Sequence, residues 1–544
     1  MQPQSTISQV LCELLLERGV NHVFGIPGDY ALSLFDTVTQ SEISMVNTCD
    51  EQGAGFAADA YARVNGLGAA LVTYGVGGLK LVNSTAQAFA ERSPVVVISG
   101  APGLSEITGE ALLHHRVRDF GTQMRIFEEV TVAQAILNDP NSAYGELLRV
   151  LNAAERYKRP VYIEVPRDCA NMIVEKSAPV SHRQIPVDDA VLTEALAEAL
   201  TMLNKAKDPI ILAGVEIHRF GLQDKLMGLI SRSGIRFATT IMGKSVIAES
   251  TQGFVGVYAG TMSDANVRNA VEQSDCILNL GAMLTDLNTG IFTAQLDPSC
   301  VIMSSAEMLT IRRHQYAGID LSQFLHALVD ADLRTREPLP ESTHAKSHSF
   351  SAAPKCRLSV ARVFDCLEAE LPEDVVVIAD PGDALFGAMD LTMHSRTEFI
   401  ACAYYASLGF AVPGCIGLQM AEPNWRPLVL VGDGAFQMTG LELSTAARYG
   451  LTPIVIVLDN QGYGTERPML DGPFNDVKQW NVGKVTELIG AGQAYEVRDE
   501  AEFLSAIRAA LDDKSQLAIV HAHLDATDFS PGLLRLTESL GKRV

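Results

Sequence analysis

Leu428-Val429-Leu430-Val431-Gly432-Asp433-Gly434-Ala435 and Ile454-Val455-Ile456-Val457-Leu458-Asp459-Asn460-Gln461-Gly462 decide how this chain folds. Each is an apolar run that ends in a polar turn, and such runs read as buried parallel strands. Between them, Gln437 to Tyr449 has the length and composition of a crossover helix. A strand–helix–strand unit brings Asp433 and Asn460, 27 positions apart (433 to 460), to the carboxyl ends of parallel strands, where open α/β sheets bind ligands. A carboxylate and a carboxamide beside a Gly-Asp-Gly turn suit Mg²⁺ holding a diphosphate. Magnesium prefers octahedral oxygen coordination and commonly completes it with phosphate oxygens and water. Gly434 and Gly462 let the backbone approach such a group closely. Gly-Asp-Gly alone is often just a turn; the Asn at this distance, with a strand before each half, carries the reading.

The bulk properties narrow the class. At 544 residues and 47% hydrophobic content the chain has material for about three domains. A net charge of −23 argues against nucleic acid and anionic membrane partners, which need basic surfaces. Nine cysteines are scattered singly, as at Cys49, Cys276 and Cys415, with no Cys-x-x-Cys, which fits reduced thiols rather than a disulfide framework or a zinc site. Ser5 to Arg18 reads as an amphipathic helix rather than a signal segment, and no apolar run approaches membrane-spanning length. The expectation is a soluble, cytoplasmic protein.

Outward from the opening unit, strand–helix alternation recurs in three segments, which predicts parallel sheets in each: an α/β chain of three doubly wound domains. The first segment, to about Asp168, has strand candidates at Val23–Ile26, Ser44–Val46, Ala70–Thr73, Val95–Ile98 and Val161–Glu164. The second has them at Ile210–Leu212, Cys276–Leu280 and Val301–Met303, and the third resumes at Val375–Ile378. Val174 to Asp189, and Arg336 to Pro354, read as linkers from their proline and polar content. Domains are therefore expected over 1–175, 190–335 and 355–544, the first and third alike in architecture.

The Gly-Asp-Gly and Asn pair, with this order of segments, resembles the thiamine diphosphate-dependent 2-keto acid decarboxylases, the group of pyruvate, indolepyruvate and phenylpyruvate decarboxylases. The resemblance covers the whole chain. It implies a pyrimidine-binding domain, a central domain and a diphosphate-binding domain, in that order. It implies further that Asp433, the Asn460 side chain and the Gly462 carbonyl bind Mg²⁺. Gly382, Asp383, Ala406, Ser407, Leu408, Gly434, Ala435, Tyr463, Gly464 and Thr465 would help to hold thiamine diphosphate.

The reactive residues follow the same resemblance. On position alone Glu51 is a helix-start carboxylate, favoured by the helix dipole. Its surroundings, Asp50-Glu51-Gln52-Gly53-Ala54-Gly55-Phe56-Ala57-Ala58-Asp59-Ala60, resemble the segment that carries the family's activating glutamate. A carboxylate there pairs with the 1′ ring nitrogen of the pyrimidine, and burial strengthens such a pair. Leu408 stands where the family wedges an apolar side chain beneath the cofactor rings, although leucine before glycine is also ordinary core material. His114-His115 matches the decarboxylases' double histidine, and Asp29 their acidic residue after the first strand. Glu466, six residues after Asn460, matches their second catalytic glutamate, a carboxyl group that an apolar pocket could keep protonated. Histidine titrates near neutrality, which suits His115 to proton transfer.

Three positions depart from the family pattern: Pro381 where many relatives have threonine, Ala406 where glycine is common, and Gly464 in place of a threonine. The resemblance also implies an obligate dimer, doubled to a tetramer, because the family joins the first domain of one chain to the third of another. Leu385 and Leu287 stand where pyruvate-selective relatives have aromatic residues, with Thr465 and Met469 nearby. This leaves volume for a bulky or aromatic 2-keto acid. The alternatives are a pyruvate decarboxylase, a thiamine-dependent carboligase of the acetolactate synthase type, a flavin-linked oxidase, and a non-catalytic protein that keeps the fold.

Overall fold

Continuous apolar runs build three sheets, each within its own stretch of chain. In the computed structural model the described residues are 5–108, 112–176, 188–337, 339–340, 342, 349–353 and 355–540. Ala111, ahead of the histidine pair, and much of both expected linkers lie outside them.

The first sheet contains β1 (His22–Gly25), β2 (Ser44–Asn47), β3 (Gly68–Val72), β4 (Val95–Ala101), β5 (Gln134–Ile136) and β6 (Val161–Pro166) in the order β2-β1-β3-β4-β6-β5, all parallel. The third contains β14 (Val375–Ala379), β15 (Phe399–Ala401), β16 (Arg426–Gly432), β17 (Ile454–Asp459), β18 (Gln493–Val497) and β19 (Ala518–His523) in the order β15-β14-β16-β17-β19-β18, again all parallel. The two orders are the same. Central strands such as β4 and β17 are buried at every position because helices cover both faces.

The second sheet departs from the all-parallel expectation. Its strands are β7 (Pro209–Ala213), β8 (Arg236–Thr240), β9 (Phe254–Tyr258), β10 (Cys276–Leu280), β11 (Val301–Ser304), β12 (Leu309–Ile311) and β13 (His314–Tyr316). Five are parallel, and β12 and β13 add an antiparallel edge of three-residue strands that are too short and polar to stand out in the sequence. The crossover after β16 also differs from expectation. Its helix starts at Asp433 rather than Gln437, runs to Thr439, passes through a 3₁₀ turn at Gly440–Glu442 and resumes over Leu443–Arg448. Gly440 permits the break, since a Cβ there would lie 2.7 Å from the Phe436 ring.

The first and third sheets share one core. The helix Glu51–Asn65 lies against the helix Ala411–Ala421, with Ala54, Ala57, Ala60, Val412, Cys415 and Ile416 buried together. The backbones approach so closely that a Cβ on Gly417 would lie 1.9 Å from Ala57 O. The middle unit is tied on by a buried ion pair, Lys244–Glu249 at 2.8 Å, whose partners also bond Leu391 O (2.6 Å) and Met393 N (2.9 Å).

Candidate functional site

Asp433 begins its helix at the carboxyl end of β16. Its Oδ1 accepts the Gly434 N–H at 2.9 Å, and its buried Oδ2 has no hydrogen-bond partner. Burial and the neighbouring Asp459 charge hold the Asp433 carboxyl well above the usual carboxylate range. A buried carboxylate oxygen left without a partner is costly, and a cation supplies what is missing. Asn460, just past β17, is buried beside it in the fold, and Gly462 follows at φ +154°. A Cβ at 462 would lie 2.0 Å from Asn475 O, so only glycine fits. The acceptor oxygens are hard donors of the kind Mg²⁺ takes, and the glycine backbone leaves room for phosphate. The residues present fit a Mg²⁺–diphosphate pair.

Beside them lies a cavity of about 460 Å³. Gly382, Ala406, Leu408, Gly434, Ala435, Asn460, Gly462, Tyr463, Gly464, Thr465 and Glu466 line it from the third segment. Leu385 joins them there, and Leu287 reaches in from the loop after β10. Ile291, Phe386, Tyr404 and Leu536 complete the apolar side; Phe386 follows Leu385 in the helix Asp383–Ala388, Ile291 follows Leu287 by one turn of chain, and Leu536 comes from the C-terminal helix.

Several expected residues sit differently. Met469 does not line the cavity; its N–H donates to Glu466 O at 3.0 Å in the turn beyond. Asp383 borders the cavity, but its carboxylate turns away to accept the Ser530 N–H at 3.1 Å, and burial pushes its pKa up to about 6. Ser407 accepts from Asn83 Nδ2 at 2.8 Å across the contact with the first segment. Glu466 is exposed, so the apolar enclosure expected around it is not supplied within this chain. Gly464 has a steric role. A Cβ there would lie 2.2 Å from Asn460 Nδ2, so a larger residue would have to displace that side chain.

Sequence reading missed Asp380. Fully buried at the end of β14, it accepts the N–H groups of Gly409 (2.9 Å) and Ala411 (2.8 Å) and so sets the turn that presents Leu408. Burial pushes its pKa up to about 7. Within that turn Ala406 has φ +57°, a left-handed conformation that explains the family's preference for glycine. Leu408 both packs on the shared core and lines the cavity.

The remaining expected residues form a second group, none of which lines that cavity. His114 Nε2 lies 2.9 Å from Asp29 Oδ2, and its ring stacks on Tyr30 at 4.9 Å. His115 packs edge-on to His114 at 4.6 Å and has φ +66°. Its carbonyl crowds Gly75, where a Cβ would lie 2.5 Å away. Glu51 follows the N-cap Asp50 and pairs with Lys80 at 3.0 Å. The structure thus keeps these residues in two groups: Asp29, Glu51, His114 and His115 on the first sheet, and the Asp433–Glu466 set on the third.

Comparison with known proteins agrees with this layout. Residues 5–123 match the thiamine pyrophosphate enzyme N-terminal TPP-binding domain, 196–328 the central domain and 382–522 the C-terminal TPP-binding domain. The chain is 37% identical over 542 residues to "Indole-3-pyruvate decarboxylase" of Azospirillum brasilense, covering 98% of each. It is 32% identical to "Alpha-keto-acid decarboxylase" of Mycobacterium leprae (98% of this chain, 95% of the relative). It is 28% identical to "Probable pyruvate decarboxylase C186.09" of Schizosaccharomyces pombe (99% and 97%). The chain belongs to the thiamine pyrophosphate enzymes, and among them to the 2-keto acid decarboxylases.

Proposed function

We propose that this chain catalyses the non-oxidative decarboxylation of a bulky or aromatic 2-keto acid to an aldehyde and CO₂. Thiamine diphosphate would be anchored through Mg²⁺ by Asp433, Asn460 and the Gly462 carbonyl. When bound, the cofactor supplies the electron sink that accepts the pair released as CO₂ leaves. The protein's part is to position groups and move protons. Glu51 would hold a proton at the 1′ nitrogen of the bound pyrimidine, and Leu408 would supply apolar bulk against the cofactor. Asp29 orients His114 through their 2.9 Å contact, and His114 in turn packs on His115. His115 and Glu466 then deliver a proton to the carbon that has lost CO₂ and help the aldehyde leave.

The apolar wall carries the substrate preference: Leu287, Ile291 and Leu385 share one hydrophobic cluster on the cavity wall, while the aromatic rings that line the cavity, Phe386, Tyr404 and Tyr463, come from other positions. An apolar wall rewards a large side chain by burial. The test is CO₂ release from a panel of 2-keto acids with thiamine diphosphate and Mg²⁺, comparing kcat/KM for phenylpyruvate and pyruvate in wild type and Leu385→Trp. Wild type should favour phenylpyruvate, and the variant should lose that preference. A wild type that favours pyruvate, or a variant that handles phenylpyruvate equally well, would overturn the preference while leaving the decarboxylase reading in place.

The reading includes a homodimer at minimum, paired to a tetramer. Its support is that Glu51 and the histidine pair lie outside this chain's own cavity, so a second copy must bring them to it. A cytoplasmic location belongs to the same reading, supported by nine cysteines that are all unpaired. Among the described residues no helix is long and apolar enough to cross a membrane.

A further inference from the structure

The carboxyl ends of β17, β18 and β19 hold a polar cluster that the proposed reaction does not use. Parallel pairing sets Asp459 opposite His523, and Glu496 opposite His521. His521 Nε2 lies 2.8 Å from Asp459 Oδ2, and His523 Nδ1 lies 3.4 Å from the same oxygen. The outer ring nitrogens share one carboxylate: His521 Nδ1 is 3.1 Å from Glu496 Oε1, and His523 Nε2 is 2.6 Å from Glu496 Oε2. The rings lie 4.0 Å apart between centroids. Asp459 and His521 are buried, whereas His523, with 26% of its side chain exposed, leaves the cluster open to solvent.

Asp459 also accepts the Gln461 N–H at 3.2 Å, and the Gln479 amide reaches its two oxygens at 3.0 and 3.2 Å, so what the cluster lacks lies on the histidine side. A neutral imidazole has one N–H. When both rings donate theirs to Glu496, the inner nitrogens turn lone pairs toward the lone pairs of Asp459 Oδ2. Added ring protons relieve this repulsion, and so does one divalent cation. The cation does so without crowding positive rings 4.0 Å apart, an arrangement that like-charge repulsion disfavours. An outer carboxylate that takes the far N–H of each histidine is also how proteins fix the tautomer of metal-binding imidazoles. Donor atoms from Asp459, His521 and His523 all lie within 4.8 Å of one another, and metal–ligand bonds of about 2.0–2.2 Å span such a triangle after small side-chain shifts.

We infer that Asp459, His521 and His523 form a transition-metal site of the Zn²⁺ type, with Glu496 as its outer partner. Two imidazole nitrogens with one carboxylate favour Zn²⁺ over Mg²⁺, which prefers oxygen alone. The site is therefore distinct in chemistry from the Asp433–Asn460 pair, although Asp459 adjoins Asn460 in the chain. A cation there would clamp the ends of three strands beside the turn that carries Asn460.

The test uses holoenzyme stripped with a chelator, then reconstituted with thiamine diphosphate and saturating Mg²⁺ and titrated with Co²⁺. One Co²⁺ per chain should give the intense visible bands of a tetrahedral nitrogen-containing site, and Zn²⁺ should displace it. His523→Ala should lose the bands while still binding thiamine diphosphate, and Glu496→Gln should weaken Co²⁺ binding about 10–100-fold. Zinc-edge X-ray absorption of Zn²⁺-loaded wild type should show imidazole ligands, a readout that needs no variant to fold. Wild type without tetrahedral bands or imidazole ligation would overturn the inference, as would a folded His523→Ala variant that kept the bands.

Discussion

Glu442 accepts a hydrogen bond from the backbone N–H of Asp50 at 3.0 Å, so the residue just before Glu51 is pinned to the third segment of its own chain. The same buried carboxylate accepts from Cys49 N at 3.1 Å and Thr445 Oγ1 at 2.8 Å. Glu51 is thereby fixed on the far side of a rigid contact from its own chain's cavity.

Glu442→Ala would leave the buried Thr445 hydroxyl without this acceptor, at a cost of about 1–3 kcal/mol, and would free the part-buried N–H groups of Cys49 and Asp50 to turn to water at a smaller cost. Denaturant unfolding should show the loss of stability. An unchanged midpoint would mean that water replaces the carboxylate and that the contact is not rigid.

Glu51→Gln should retain cofactor and Mg²⁺ yet lose about 10²–10⁴-fold in turnover, the scale of a positioned proton-transfer group. Asp433→Ala should instead fail to retain the cofactor while the fold persists. Fast proton exchange at the thiazolium carbon in Glu51→Gln would remove Glu51 from the activating role.

Mixing these two inactive variants should restore activity if each site draws on two chains. Random pairing makes half the dimers mixed, and each mixed dimer has one intact site, so about a quarter of wild-type activity should return. No recovery after verified subunit exchange would place both half-sites in one chain.

Asp380 gives a pH signature. Its pKa is raised in the folded chain from an ordinary 3.8 to about 7, so its contribution to stability is full below about 4 and declines as pH rises through about 7. In Asp380→Asn that decline should flatten. Overall stability should also fall, because a carboxamide has one acceptor for two N–H groups, those of Gly409 and Ala411. Urea midpoints measured between pH 5 and 8 in both proteins decide it; parallel curves would deny the residue its titration.

Asp433 has the opposite practical consequence for its ligand. A carboxyl held above its usual range must give up its proton before it can bind a cation, so Mg²⁺ retention should weaken as pH is lowered below neutrality. Dialysis against limiting Mg²⁺ at several pH values would show it, and pH-independent retention would contradict it.

Much of this was legible in the chain because buried parallel strands are continuous apolar runs. The β16 and β17 stretches announce both themselves and the turns after them, whereas Leu287 and Leu385 are singled out only through the family resemblance. What escaped detection is short, edge-bound or non-local. β13 and β18, at the edges of their sheets, are mostly exposed or half-buried, so neither forms an apolar run that would announce it. Asp380 carried no local signal, since its role depends on backbone amides near 30 positions away. Asp383 was assigned to the cofactor from its motif, but only tertiary packing shows Ser530 taking its carboxylate. The His521–Asp459–His523 cluster needs strand order, which single-strand reading does not supply.

The missing side chain at Gly417 has a mechanical consequence. With Ala57 O only 1.9 Å from where a Cβ would stand, the two helices leave no clearance for sliding or for a hinge. Gly417→Ala should cost about 1–3 kcal/mol through overpacking. The first and third units therefore cannot slide past one another within a chain, while the middle unit meets the third through side chains such as Lys244 and Glu249. The middle unit's loop, with Ile291 at φ +55° and Phe292 at φ +60°, carries Leu287 at the cavity mouth.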